Sequence, residues 1–293
     1  MKLTIPEQEI LNPGHLACQG CGATMAMRYV LKAVGRNVTL NFPACCWSVI
    51  DGPFPYSAVG VPLYHVAFET AAASASGIRA GLDMLGKTDT KVIAWAGDGG
   101  TFDIGIQALS GAAERGDDIL YICYDNEAYM NTGIQRSSST PTGAWTTTTP
   151  ATNPKTSPKK DMIAIMAAHR IPYTATANIA FPEDIIKKVQ KALTFKGTKF
   201  IQIFATCPTG WKMRPEYAVK VARLAFDTKV FPLYEVEGGD KWKITRKPKG
   251  LPVEEYLKLQ GRFRHLKTED VIAIQKEVDK NWARLEKMAE MWG

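Results

Sequence analysis

The chain has 293 residues, 45% apolar and 22% charged, with a formal net charge of +7. That length buries a sizeable core, as one large α/β domain or a domain with appendages, and the proportions are those of a globular protein. No apolar stretch approaches a membrane span, and the start MKLTIPEQEI lacks the apolar core of a signal peptide, so the expected location is cytoplasmic. The positive charge would suit nucleic acid or an acidic partner. Yet the basic residues are scattered, densest at 155–160 and 241–249, with no nucleic-acid motif around them, so solvated faces are expected. In a reducing compartment the six cysteines read as ligands or buried thiols, not as disulfides.

Residues 1–14 form an extended lead-in that ends at Asn12-Pro13-Gly14. GHLACQGCGATMAMRYVLKAVG then places Cys18 and Cys21 in a Gly-rich loop before a helix over 23–34, which Gly35 ends. A strand over 38–42 leads into Pro43-Ala44-Cys45-Cys46-Trp47. DGPFPYSAVGVPLYH has no useful periodicity and reads as a structured loop. A helix over 68–85 follows, crowded with Ala, Ser and Gly whose small side chains permit close packing.

An apolar run at 92–96 stops abruptly at Gly97-Asp98-Gly99-Gly100. An amphipathic helical pattern follows, and a second apolar run at 119–124 delivers Asp125-Asn126. Strand, Gly-rich turn, helix and strand in a parallel sheet put both strand ends on one edge, so Asp98 and Asn126 emerge side by side. A carboxylate and an amide oxygen are hard ligands of the kind Mg2+ takes while keeping water and phosphate oxygens. The N–H groups of Gly99 and Gly100, opening a helix, suit an anionic diphosphate. The expectation is a metal-diphosphate site.

Residues 129–160 form a long polar connection, the length of a functional lid or of a linker. Its beginning lies beside the proposed metal, and its Lys-Pro-Ser tail reads as flexible. Asp161 caps a helix running to about 169. Strand 171–177, helix 181–196 and strand 200–205 continue a doubly wound, mostly parallel α/β pattern, and TCPTGW at 206–211 leaves the last strand at the same edge. From Pro215 the character changes to a helix, a hairpin around Gly238-Gly239 and helices over 253–291. The expected organisation is a domain over 1–214 and a C-terminal helical arm over 215–293 that wraps it.

Cys18-x2-Cys21, Cys46 and Cys207 all sit in loops, and a proline follows Cys207, an arrangement common at iron-sulfur ligands. Four thiolates equally make a tetrahedral zinc site, and the spacing alone does not choose. Cys123, inside an apolar strand, and Cys45 read as buried thiols.

GDG followed, after a helix and a strand, by Asn resembles the thiamine diphosphate enzymes. More narrowly, GHxxCxGCG, AFE, GDGGTxDIG, YDNEAYMNTG and LKLQGRFRHL, in that order over nearly the whole chain, resemble the β subunit of the CoA-acylating 2-oxoacid:ferredoxin oxidoreductases. The resemblance implies the thiamine diphosphate-binding fold, with Asp98, Asn126 and the Ala128 carbonyl holding Mg2+. It implies that Cys18, Cys21, Cys46 and Cys207 hold one [4Fe-4S] cluster. Gly97, Asp98, Gly99, Gly100 and residues 126–131 would line the diphosphate and metal, Ala23 and Cys46 would touch the cofactor, and Asn131 would reach the substrate as a catalytic residue. The implied reaction turns a 2-oxoacid and coenzyme A into an acyl-CoA and CO2, with electrons passed to ferredoxin.

Enzymes of this kind need a second domain whose glutamate acts on the cofactor's aminopyrimidine, and this chain has no room for it. The resemblance therefore implies an α subunit supplying that domain, γ and ferredoxin-like δ subunits, and an isolated chain without activity. Glu69 is the internal competitor for the acid, with structural pairing expected of it. His15 is a candidate phosphate contact, and His65, His169 and His265 read as structural or surface residues. The doublet in PACCW looks more like branched-chain than pyruvate members. Two other classes fit the residues: a non-redox thiamine-dependent decarboxylase or synthase with zinc, and a zinc-containing binding protein.

Overall fold

Val92 and Ile93 are neighbours on one strand but belong to different cores. Ile93 and Trp95 pack with one apolar cluster, and Val92, Ala94 and Ala96 with another. A strand apolar at every position must be covered on both faces, as in α/β proteins. The computed structural model describes residues 4–292.

The strands are β1 (Val38–Pro43), β2 (Leu63–Val66), β3 (Lys91–Gly97), β4 (Leu120–Asp125), β5 (Tyr173–Asn178), β6 (Lys199–Phe204), β7 (Tyr234–Glu237) and β8 (Lys241–Ile244). They form one eight-stranded sheet in the order β2-β1-β3-β4-β6-β5-β7-β8. The strands from β2 across to β5 pair in parallel, and the β7-β8 hairpin adds to β5 antiparallel.

Helices α1 (Gly22–Val34), α2 (Trp47–Ile50), α3 (Ala71–Met84), α4 (Ile106–Arg115) and α5 (Met162–Ala168) come from the first part of the chain. They are followed by α6 (Pro182–Ala192), α7 (Pro208–Trp211), α8 (Ala218–Asp227), α9 (Glu254–Leu257) and α10 (Thr268–Trp292). α1, α6 and α8 bury their apolar faces on one side of the sheet, and α3, α4 and α5 on the other. The doubly wound, mostly parallel expectation is met. Local chemistry sets the ends: Gly35 adopts φ 79° as α1 stops, Gly116 adopts φ 68° after α4, and the Asp161 carboxylate accepts from Ala164 N at α5. No described helix is long and apolar enough to cross a membrane.

Several expectations need correction. The Pro-rich segment read as a loop contains β2, a four-residue strand with both central side chains exposed and hence no apolar pattern to betray it. α3 starts at Ala71, which leaves Glu69 exposed in the turn before it, and Glu69 makes no ion pair among the described residues. The glycines after β3 open not an α-helix but a π turn over Gly99–Asp103, closed by Ile104 N to Gly99 O at 3.3 Å. Residues 129–160 contain no regular element, yet the Lys-Pro-Ser tail is tied down, with Lys155 Nζ donating to the carbonyls of Ser138, Thr140 and Pro158. Within 215–293, the expected arm, β7 and β8 extend the sheet itself.

The parallel strands deliver their carboxyl ends to one edge. There β1 leads to Ala44-Cys45-Cys46, β3 to Asp98-Gly99-Gly100, β4 to Asn126 and the residues after it, and β6 to Cys207. The chain leaves β1 for β2 on one side and returns to β3 on the other, so the crevice between β1 and β3 is a topological switch point, where such sheets bind ligands.

Candidate functional site at the carboxyl edge

A cleft of about 100 Å³ opens at this switch point. Cys45 and Cys46 reach it from β1, Gly97, Gly99 and Gly100 from β3, and Asn126, Ala128, Met130 and Asn131 from β4. Phe68 and Tyr129 wall it, their rings 5.8 Å apart and edge to face. The glycines are required by these rings: a Cβ on Gly99 would fall 2.3 Å from the Tyr129 ring, and one on Gly100 3.2 Å from Phe68. The AFE motif thus supplies a wall through its phenylalanine.

Asp98 lies just beneath the cleft, fully buried. Its Oδ2 accepts from the Ser137 hydroxyl, and burial together with the Asp125 charge pushes its carboxyl well above the usual range. Asn126 can present either end of its amide to Asp98 Oδ1 and the Ala128 carbonyl. With the NH2 inward it donates to these atoms at 2.8 and 3.0 Å; with the oxygen inward, three oxygens face one another with no donor between them. A carboxylate, an amide oxygen and a carbonyl converging in that way are a donor set that fits a hard cation, whose charge also offsets the cost of burying Asp98. The residues present therefore fit a Mg2+ ion.

The turn carrying Asn126 is braced from below. Asp125 accepts from Lys159 Nζ at 2.5 Å, Gln202 Nε2 at 2.6 Å and Ser139 Oγ at 2.6 Å. Glu127 takes φ 66°, unusual for a residue with a Cβ, and is held by Lys159 at 2.9 Å and Arg262 at 2.6 Å. Burial raises the Glu127 carboxyl, but Lys159 and Arg262 outweigh it and leave the group below its ordinary value. Ser138 bonds Asp103, and Thr140 Oγ1 donates to the Glu127 carbonyl at 2.7 Å. The run Ser137 to Thr140 thus closes over the acidic residues. Sequence reasoning missed Ser137, Ser139, Lys159, Trp211 and Arg262; the SSST run and the RFR of the late motif were the available signals.

The cysteine loops approach through their glycines. Gly22 N donates to Thr206 O at 2.9 Å, a Cβ on Gly22 would strike that backbone, and one on Gly20 would strike Pro215 O at 2.6 Å. Cys21 and Cys207 are therefore carried on touching strands of backbone. None of the six cysteines forms a disulfide. Burial raises Cys46, with Cys45, Cys207 and Cys21 adding to it; burial raises Cys207 to about 12, against the Gly210 N–H and with help from Cys21 and Cys18. Among the described residues no three His, Cys, Asp or Glu side chains converge tightly enough for a single ion. Cys45 lines the cleft beside Tyr124 with its thiol raised by burial, and Cys123 is fully buried in β4.

Other candidates fall outside the cleft. Ala23 is 2% exposed and packs in the core. His15 Nδ1 and His265 Nε2 are buried without a partner, His65 lies 3.6 Å from Asp51, and His169 ends α5.

The thiamine pyrophosphate enzyme C-terminal TPP-binding domain model matches residues 50–203. The chain is 54% identical to the ketoisovalerate oxidoreductase subunit VorB of Pyrococcus horikoshii, covering 100% of this chain and 97% of that protein. It is also 54% identical to the pyruvate synthase subunit PorB of Methanocaldococcus jannaschii, covering 94% and 96%. Among solved structures, a 2-oxoglutarate:ferredoxin oxidoreductase from Magnetococcus marinus superposes with a TM-score of 0.60 at 20% identity, over 76% of this chain and 81% of that one, a likeness of fold.

Proposed function

Because this chain belongs to the β subunits of the 2-oxoacid:ferredoxin oxidoreductases, we propose that it carries the diphosphate half of the thiamine site and one [4Fe-4S] cluster of a CoA-acylating enzyme. The observation that supports this reading most is the convergence of Asp98, Asn126 and the Ala128 carbonyl beneath a glycine-floored cleft at the switch point. The reaction converts a 2-oxoacid and coenzyme A to an acyl-CoA, CO2 and a proton, and an electron pair leaves singly to ferredoxin. When bound, thiamine diphosphate supplies the carbon nucleophile for the keto carbon, and the cluster supplies the first electron acceptor.

The chain's own residues do the placing. Ser137 fixes one Asp98 oxygen and leaves the other for Mg2+. Asn126 stands between two anchored acids, so its amide is held at the metal without a large reorganisation on binding. Gly97, Gly99 and Gly100 would let a diphosphate approach their backbone, and Phe68 and Tyr129 would wall it. Asn131, exposed at the cleft mouth, is placed to hydrogen-bond the substrate carboxylate. Cys18, Cys21, Cys46 and Cys207 would hold the cluster. A four-iron cluster is larger than a single ion, so its ligands need not converge on one point.

The cleft is small beside the roughly 300–1,000 Å³ of a site that encloses a ligand, which supports an α subunit that supplies the remaining wall and the glutamate, with γ and δ subunits completing a cytoplasmic complex. The substrate is pyruvate or a branched 2-oxoacid such as 2-oxoisovalerate, since a VorB and a PorB relative are both 54% identical to this chain. Anaerobic purification of the assembled complex, with iron, sulfide, magnesium and thiamine diphosphate analysis, tests the proposal. A colourless complex with stoichiometric zinc rejects it.

A further inference from the structure

The β4-β6 ladder runs to Asp125 and Phe204, and its last bond is Ala205 N to Asp125 O. The next carbonyl, that of Asn126, has no strand partner. It accepts instead from the indole Nε1 of Trp211 at 2.8 Å. Trp211 ends the single helical turn that follows Cys207, with its own N–H on the Cys207 carbonyl at 2.9 Å. A Cβ on Gly210 would lie 2.2 Å from Met130 Sδ, so the Cys207 turn and the turn after β4 are pressed together at two points.

Arg262 locks this junction. Its guanidinium lies 3.8 Å over the Trp211 ring and reaches Glu127 at 2.6 Å, and Gln260 and Tyr256 hold it further. Trp211 is fully buried and Arg262 is 2% exposed. One planar cation therefore touches both the ring that fixes the Asn126 carbonyl and the side chain of the next residue, whose left-handed backbone turns Ala128 toward Asp98.

We propose that Trp211, clamped by Arg262, is a positioning residue: by fixing the Asn126 carbonyl it sets the metal-facing turn and keeps it in register with the Cys207 loop. This rests on the reading of Asn126 as a metal ligand and Cys207 as a cluster ligand. Trp211→Phe keeps most of the ring and removes the donor. Arg262→Lys keeps the charge and removes the planar stack.

The test is equilibrium dialysis of thiamine diphosphate against Mg2+ concentration, on assembled complexes stripped of both, with iron content, visible spectrum and KM for the 2-oxoacid measured in parallel. Trp211→Phe should raise the Mg2+ needed for half-saturation about tenfold, the worth of one buried hydrogen bond. Arg262→Lys should raise it by a similar factor, the worth of a buried cation–π contact, with cluster content and KM unchanged in both. Phe204→Leu, which loosens packing against Trp211 without touching its N–H, should move it much less. If Trp211→Phe does not assemble, Arg262→Lys decides. An unchanged Mg2+ requirement in both, beside an Asp98→Ala complex that no longer binds, overturns the proposal and leaves the metal site standing. An equal shift in Phe204→Leu overturns it too, as general loosening. Mg2+-dependent binding that survives Asp98→Ala removes the metal reading and this inference with it.

Discussion

Lys159 sets its ammonium 2.5 Å from the Asp125 carboxylate, which lies fully buried at the end of β4. The same ammonium reaches Glu127 at 2.9 Å, so one lysine from the far end of a long loop bridges both acids flanking Asn126, with Arg262 supplying the second positive charge. Replacing it by methionine leaves Asp125 without a counter-ion. The expected cost is about 3–5 kcal/mol of local stability, the range for breaking a buried pair. Hydrogen exchange in the assembled complex reads this as lost protection over residues 125–131; unchanged protection there rejects the bracing role.

Asp98→Ala should abolish Mg2+-dependent retention of thiamine diphosphate, because it removes the only charged member of the oxygen set. Ser137→Ala, which frees the carboxylate without deleting it, should weaken retention about fivefold, the equivalent of about 1 kcal/mol for one hydrogen bond. Cofactor content after gel filtration ranks the two, and equal retention by both variants and wild type refutes the assignment.

Cys207→Ser should remove most of the iron and sulfide, while Cys45→Ser should keep both, since Cys46 and not its neighbour is the proposed third ligand. Iron retained by the first variant and lost by the second would make Cys45 the third or fourth ligand.

Far from the site, Glu235 on β7 accepts from Lys191 of α6 at 2.7 Å and from Tyr173 of β5 at 2.9 Å. Burial raises its carboxyl, but Lys191 and Tyr173 outweigh burial and leave it below the ordinary 4.5. A depressed folded value means that the stabilisation is present in full above pH 4.5 and disappears as pH falls through the folded value. Glu235→Gln should therefore lower the thermal midpoint at pH 7 and converge with wild type in acid. A constant difference across that range contradicts the linkage.

The central unit was legible because its signals are local: β3 and β4 are continuous apolar runs, and Gly97 to Gly100 interrupt them where the backbone must pass a ring. β2 was illegible because four half-exposed residues among prolines carry no period. The braces were illegible for a different reason. Ser137 acts on Asp98 and Arg262 on Glu127 across long stretches of chain, and polar side chains buried by one another follow no periodicity. Lys159 in particular sits in a run of lysines and prolines that looks solvated until the fold brings it beneath Asp125. The Gly-rich CxxC loop declared a ligand role, but only the approach of Gly22 to Thr206 shows which other loop it meets.

The sheet ends on β8, whose outward side chains are Lys241 and Lys243 while Trp242 turns inward. A row of unpaired backbone groups is a template for a stray strand, and two adjacent ammonium groups repel the extended lysine-bearing edge of another copy. At the opposite border β2 offers only four residues. Crowded together during synthesis, copies of this chain are thus discouraged from zipping into fibres before their proper companions arrive.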